Sequence, residues 1–140
     1  MSVFVDTSGF YALLIGSEDG HADVVGAFRD LVARERPLRT TSYVVAETVA
    51  LLQHRIGLEP VRDFDEHVYP LLSIEWVKED LHRRGMRRLS REDRRRLSLV
   101  DCVSLEFMRQ QGIDDVLGLD RHFEEAGHAL IAGRKMKPTT

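Results

Sequence analysis

The chain has 140 residues, 43% of them hydrophobic and 31% charged, which fits one globular domain and leaves no room for two of ordinary size. It lacks an apolar run of about 18 residues and a basic stretch leading into an apolar N-terminal region, so neither a membrane span nor a secretory signal is expected and the cytoplasm is. One cysteine, Cys102, rules out an internal disulfide and a thiolate metal site, and a net charge of -3 does not by itself point to nucleic acid.

In chain order, Ser2-Val-Phe-Val reads as a short buried strand that runs into Asp6-Thr-Ser-Gly. A short helix follows from Ser8 to Leu14. A longer one spans Gly20 to Glu35, with Ala22, Val25, Phe28 (or Arg29) and Val32 expected on one face. Pro37 to Thr41 is extended. Ser42 to Ile56 is strongly helical, with Ser42 as the N-cap and Gly57 as the stop. Pro60 suits the first turn of another helix, which runs to about Tyr69.

Ser73 to Val77 alternates like a strand, which would place Trp76 in the core or at an interface. Lys78 to about Leu89 is helical and basic, with Gly85 as a weak point. Ser98 to Gln111 is a strong helix closed by Gly112. Val116 to Leu119 is a short strand ended by Asp120, His122 to Ala126 a turn of helix, and His128 to Ile131 an edge strand. One domain over residues 1–132 is expected, with 133–140 as a frayed tail. Strands separated by helices imply crossover connections: an α/β fold, in three layers around a mainly parallel sheet. Ligands of such sheets bind beyond the carboxyl ends of the strands, where Asp6 and Asp120 stand.

Charge is unevenly spread. From His82 to Arg96 there are eight arginines against Glu92 and Asp93, so this window carries +6 and the rest of the chain -9. An acidic body with one basic segment is consistent with phosphate binding at a carboxylate site, and equally with a solvated helix face.

Four carboxylates stand out. Glu47 sits in Tyr43-Val-Val-Ala-Glu-Thr-Val-Ala-Leu-Leu52, and at helical spacing it meets Tyr43, Val44, Ala50 and Leu51, none of them basic. A carboxylate on an apolar stripe is costly unless paired; it must reach solvent, find a distant arginine, or bind something. Asp101 follows Ser98 by three residues, the spacing of a capping box, in a first helical turn whose free N–H groups favour an anion. Asp6 could cap a helix, although Ser8 is the better placed cap. Asp120 could be a plain turn residue.

One shared site accounts for all four. Clustered carboxylates raise one another's pKa and cannot all ionise without a cation. Oxygen donors with neither thiolate nor a histidine pair suit Mg²⁺ or Mn²⁺, and such an ion suits phosphodiester hydrolysis. Thr7 and Ser8 could add hydroxyls.

At these residues the chain resembles the PIN-domain family, in particular the single-domain toxins of the VapC type. The resemblance rests on VFVDTSGFYALL, TTSYVVAETVALL, LSLVDCVSLEFMRQQGI and VLGLDRHFEEAGH, in that order and across nearly the whole chain. It implies an α/β/α sandwich and a Mg²⁺-dependent endoribonuclease. Metal-site roles carry over onto Asp6, Glu47, Asp101 and Asp120, with Asp6, Asp101 and Asp120 as ligands and Glu47 orienting or deprotonating water. Thr7, Ser8 and Ser98 support them. In the family the last acidic position varies, and an Asp two residues on is common where this chain has His122. The resemblance also implies homodimers and neutralisation by a small antitoxin. Arg83, Arg84, Arg87, Arg88 and Arg91 are the candidates for RNA phosphate contacts. A housekeeping RNA-processing nuclease or a silent RNA- or protein-binding module are the alternatives. A haloacid-dehalogenase-type phosphatase would need a second Asp where Ser8 stands.

Overall fold

The computed structural model describes residues 1–132; the expected tail lies outside the described residues. Five short strands form one sheet: β1 (Val3–Val5), β2 (Leu38–Thr41), β3 (Leu72–Glu75), β4 (Asp115–Leu117) and β5 (Ala129–Leu130). Their order is β3-β2-β1-β4-β5 and every neighbouring pair is parallel. Helices α1 (Thr7–Leu14), α2 (His21–Ala33), α3 (Ser42–Arg55) and α4 (Leu58–Asp63) fill the first two crossovers, and α5 (Glu79–Glu92), α6 (Leu99–Gln111) and α7 (His122–Glu125) the others. The chain steps outward from β1 to β3 and then returns past β1 to β4. Right-handed crossovers therefore put the first four helices on one face and the last three on the other. None of the described helices is long and apolar enough to cross a membrane.

The central strands β1, β2 and β4 are short and largely buried, and three or four residues fill their place. Val3, Phe4 and Val5 are fully buried. Successive side chains of a strand point to opposite faces, and the Phe4 ring meets Phe107 of α6 at 6.1 Å and Phe123 of α7 at 6.2 Å. On the other side, Phe10 of α1 packs edge-on against Phe64 at 5.2 Å. Cys102 is a buried packing residue, its thiol pushed up to about 11 by burial.

Several expectations change at the level of single residues. Thr41, not Ser42, caps α3, with its hydroxyl accepting from the Val44 N–H at 3.3 Å; the Ser42 hydroxyl accepts instead from the Val77 N–H and ties α3 to the end of β3. The inner face of α2 is Val24, Ala27 and Leu31, a rotation of about one residue that leaves Val32 exposed. Leu58 opens α4 with Pro60 in its first turn, and the run continues as a π-helical segment over Phe64–Val68 and a 3-10 turn over Tyr69–Leu71. β3 ends at Glu75, so Trp76 lies beyond the sheet at 61% exposure and is not core.

Gly85 is no weak point of α5. A Cβ there would come within 2.4 Å of Val103 Cγ2, so the missing side chain lets α5 and α6 approach closely.

Candidate active site

In a parallel sheet of this order the direction of progression reverses between β1 and β4, and the carboxyl ends of these two strands open into a crevice. The chain enters it twice. Asp6 follows β1 directly, and its N–H donates to the Leu117 carbonyl at 3.2 Å, which locks the exits of the two strands together. At Gly9 the approach of α1 to β4 is closer still: a Cβ there would lie 2.2 Å from the Leu117 carbonyl oxygen.

Asp6 occupies the N-cap position of α1, yet its side chain makes no capping bond. Ser8 does not cap either, contrary to expectation. Its hydroxyl donates to Asp6 Oδ2 at 3.0 Å and accepts from the Leu119 N–H at 2.9 Å, so it braces the carboxylate against the chain leaving β4. Asp6 is 3% exposed. Burial, and after it the Asp101 charge, push its pKa from an ordinary 3.8 up to about 6, against the lowering effect of the Ser8 and Thr7 hydrogen bonds.

Asp101 both completes the capping box of α6 and lines the crevice. Its Oδ2 accepts from the Ser98 N–H at 3.0 Å, and the Ser98 hydroxyl accepts from the Asp101 N–H at 3.1 Å, completing the capping box. Oδ1 is left over and lies 3.3 Å from His122 Nε2. Burial works to raise the Asp101 pKa, but His122 and the Ser98 N–H outweigh it and the carboxylate is held below its ordinary range. His122 Nδ1 lies 2.9 Å from Asp120 Oδ1, so one imidazole links Asp101 to the half-exposed Asp120. Burial lowers the His122 pKa, yet the pull of Asp101, Asp120 and Asp6 prevails and raises it.

Glu47 comes from α3. The buried residues of that helix are Val44, Thr48 and Leu52. Glu47 stands on the adjacent stripe with Leu51 and Arg55, at intervals of four, and all three line the crevice. Glu47 is therefore half-buried beside a polar cavity rather than stranded in apolar packing. His54, which the sequence puts on the same side, is exposed and lies outside the lining; Arg55 takes that place.

The structure thus brings Asp6, Glu47, Asp101 and Asp120 to one cavity of about 440 Å³, together with Thr7, Ser8 and Ser98. Thr7 Oγ1 is buried there without a hydrogen-bond partner. Glu18 and Arg55 belong to the lining too, and sequence reasoning missed both. Glu18 sits in an irregular connection with no periodicity to place it. Arg55 had a signal, eight residues after Glu47 and so two turns along the same helix face.

No α5 residue lines this cavity. Arg83, Arg87 and Arg91 are exposed on the outer side of α5, around a shallow groove with Met86 and Ser90. Arg84 is partly buried and donates to Gln110 Oε1 at 2.9 Å. Arg88 departs from expectation: it lies 3.4 Å from buried Glu106 and 3.8 Å from Glu92, an internal counter-charge that is not presented to a ligand.

Among the described residues no three His, Cys, Asp or Glu side chains are arranged as a ready cage for a metal ion. The donor set nevertheless fits a hard divalent cation. Asp6 is buried, faces Asp101, and is ionised at neutral pH only at a cost that a cation would remove. Mg²⁺ characteristically keeps several waters and takes one or two carboxylates, so a closed protein cage is not required.

Residues 3–129 match the family model of the PIN domain. The chain is 33% identical over 131 residues to the 23S rRNA-specific endonuclease VapC20 of Mycobacterium tuberculosis, covering 92% of this chain and 97% of the relative. The crystal structure of VapC20, a Sarcin-Ricin loop cleaving toxin, matches with a TM-score of 0.78 at 31% identity, over 91% of this chain and 97% of that one. The crystal structure of FitAcB from Neisseria gonorrhoeae shares the fold, with a TM-score of 0.66 at 14% identity, over 91% of this chain and 95% of that one.

Proposed function

The chain belongs to the PIN-domain family, and on that footing we propose that it is a divalent-metal-dependent endoribonuclease, the toxin of a toxin–antitoxin pair. The observation that carries this reading is the convergence of Asp6, Glu47, Asp101 and Asp120 on one cavity at the β1/β4 crevice.

Asp6, Asp101 and Asp120 would hold Mg²⁺, or Mn²⁺ in its place, directly or through water. When bound, such an ion lowers the pKa of a water and offsets the charge that develops on the phosphoryl oxygens. Glu47, on the opposite wall, orients the attacking water and accepts its proton. Ser8 fixes the Asp6 carboxylate, and the Ser98 capping box fixes Asp101. The Thr7 hydroxyl is buried without a protein partner and is available to a water or a phosphate oxygen. Arg83, Arg87 and Arg91 contact phosphates farther along the strand, adding affinity without sequence information. RNA is the substrate class, and 23S rRNA is the first to test because VapC20 acts on it. A homodimer and a small protein antitoxin complete the proposal.

The test is cleavage of an RNA panel that includes 23S rRNA. Asp6→Asn and Asp101→Asn abolish cleavage with the circular dichroism spectrum intact, and chelation abolishes it until Mg²⁺ or Mn²⁺ is restored. Undiminished cleavage by both variants, free of contaminating nuclease, would sink the assignment.

A further inference from the structure

The crevice is strongly one-sided in charge. Among the described residues five carboxylates line it, from Asp6, Glu18, Glu47, Asp101 and Asp120, against one cation, Arg55. Two features set Arg55 apart from a counter-charge of that cluster. It makes no ion pair with any carboxylate among the described residues, although five share its cavity. Its guanidinium instead lies over the ring of Tyr11, 5.4 Å from the centroid. Tyr11 is buried and lines the same cavity, so the platform is rigid.

A guanidinium stacked on an aromatic ring keeps its fork of N–H donors free and loses little further freedom on binding. That fork matches a phosphate, and a phosphate is the anion an RNA strand would bring into this crevice. Glu47, Leu51 and Arg55 stand at successive turns of α3, about 6 Å apart along the axis at each step. Arg55 therefore sits about 12 Å along the helix from Glu47, too far for both to meet one phosphate.

We propose that Arg55, held over Tyr11, is a substrate-binding residue that clamps a backbone phosphate of RNA near, and distinct from, the one being cleaved. The inference rests on the nuclease reading and deepens it by naming the wall along which the strand lies.

The test compares Arg55→Ala and Arg55→Lys with the parent in two ways. With cleavage, Arg55→Ala raises KM roughly tenfold and changes kcat less. Arg55→Lys recovers only part of the loss, since it keeps the charge but not the fork. With binding, the same substitutions are placed in the inactive Asp101→Asn background and titrated with a single-stranded RNA oligonucleotide at several salt concentrations. One lost phosphate contact lowers the slope of log affinity against log salt by about 0.7.

An unchanged KM together with an unchanged salt slope overturns the proposal while leaving the nuclease intact. The same holds if Arg55→Ala merely lowers the Mg²⁺ concentration needed for activity, which would make Arg55 a counter-charge to the carboxylates. A parent protein that neither binds nor cleaves any RNA overturns the nuclease reading, and the clamp with it.

Discussion

The buried carboxylate of Asp6 is a burden on folding in the absence of a cation, and the size of that burden can be measured. Its pKa rises from an ordinary 3.8 to about 6. A carboxyl group whose pKa is raised by folding destabilises the fold wherever it must ionise. Below about pH 4 it is protonated in both states and costs little. Between about 4 and 6 the cost grows, and above the folded pKa it is complete, at about 3 kcal/mol for this shift. Asn in its place cannot ionise and can still accept from the Ser8 hydroxyl. In chelator, Asp6→Asn is therefore more stable than the parent near pH 7.5 by up to about 3 kcal/mol, roughly 10 °C in Tm for a chain of this length. Near pH 4 the gain shrinks below about 1 kcal/mol. Urea unfolding of both proteins at the two pH values reads this directly. Adding Mg²⁺ narrows the gap from the parent's side, because binding to the folded state alone stabilises it. Equal stability near pH 7.5 in chelator, or a gain of the same size at both pH values, refutes the reasoning.

Two further predictions concern the helix pair behind the site. Gly85→Ala drives a methyl into Val103 and costs about 1–3 kcal/mol in chemical denaturation; pairing it with Val103→Ala recovers part of the loss, a non-additivity that a solvated glycine would not show. The arginines of α5 divide by role. Arg88→Ala leaves buried Glu106 without its nearest partner and lowers stability by about 1–3 kcal/mol, whereas Arg87→Ala leaves the melting temperature in place and weakens RNA binding, measured as a shift in salt-dependent affinity.

Most of the architecture is legible in the sequence because it rests on patterns that repeat. The strand–helix alternation predicts a parallel sheet, and parallel it is throughout. The Ser98–Asp101 spacing predicts a capping box, and both of its bonds form. Errors arise where a choice turns on one residue. The α2 face is misjudged because Val24 and Val25 serve a helical stripe equally well until the sheet decides between them. Thr41 takes the cap from Ser42 because Ser42 is drawn to the Val77 N–H, thirty-five residues away. Ser8 is a brace rather than a cap because its acceptor role is filled by Leu119, across the crevice and invisible to local sequence. Asp6, Asp101 and Asp120 are findable because each follows a strand or opens a helix. Glu47 stands out in the sequence for an imperfect reason: its stripe is not wholly apolar, since Arg55 lies on it two turns away.

The bare backbone at Gly85 also has a mechanical consequence. Val103, which fills the space beside it, is two residues from Asp101 on the same helix. With no side chain between them, α5 and α6 pack directly against each other there. A strand of RNA gripped by the outer arginines of α5 would therefore bear on α6 within one turn of Asp101, a carboxylate of the crevice.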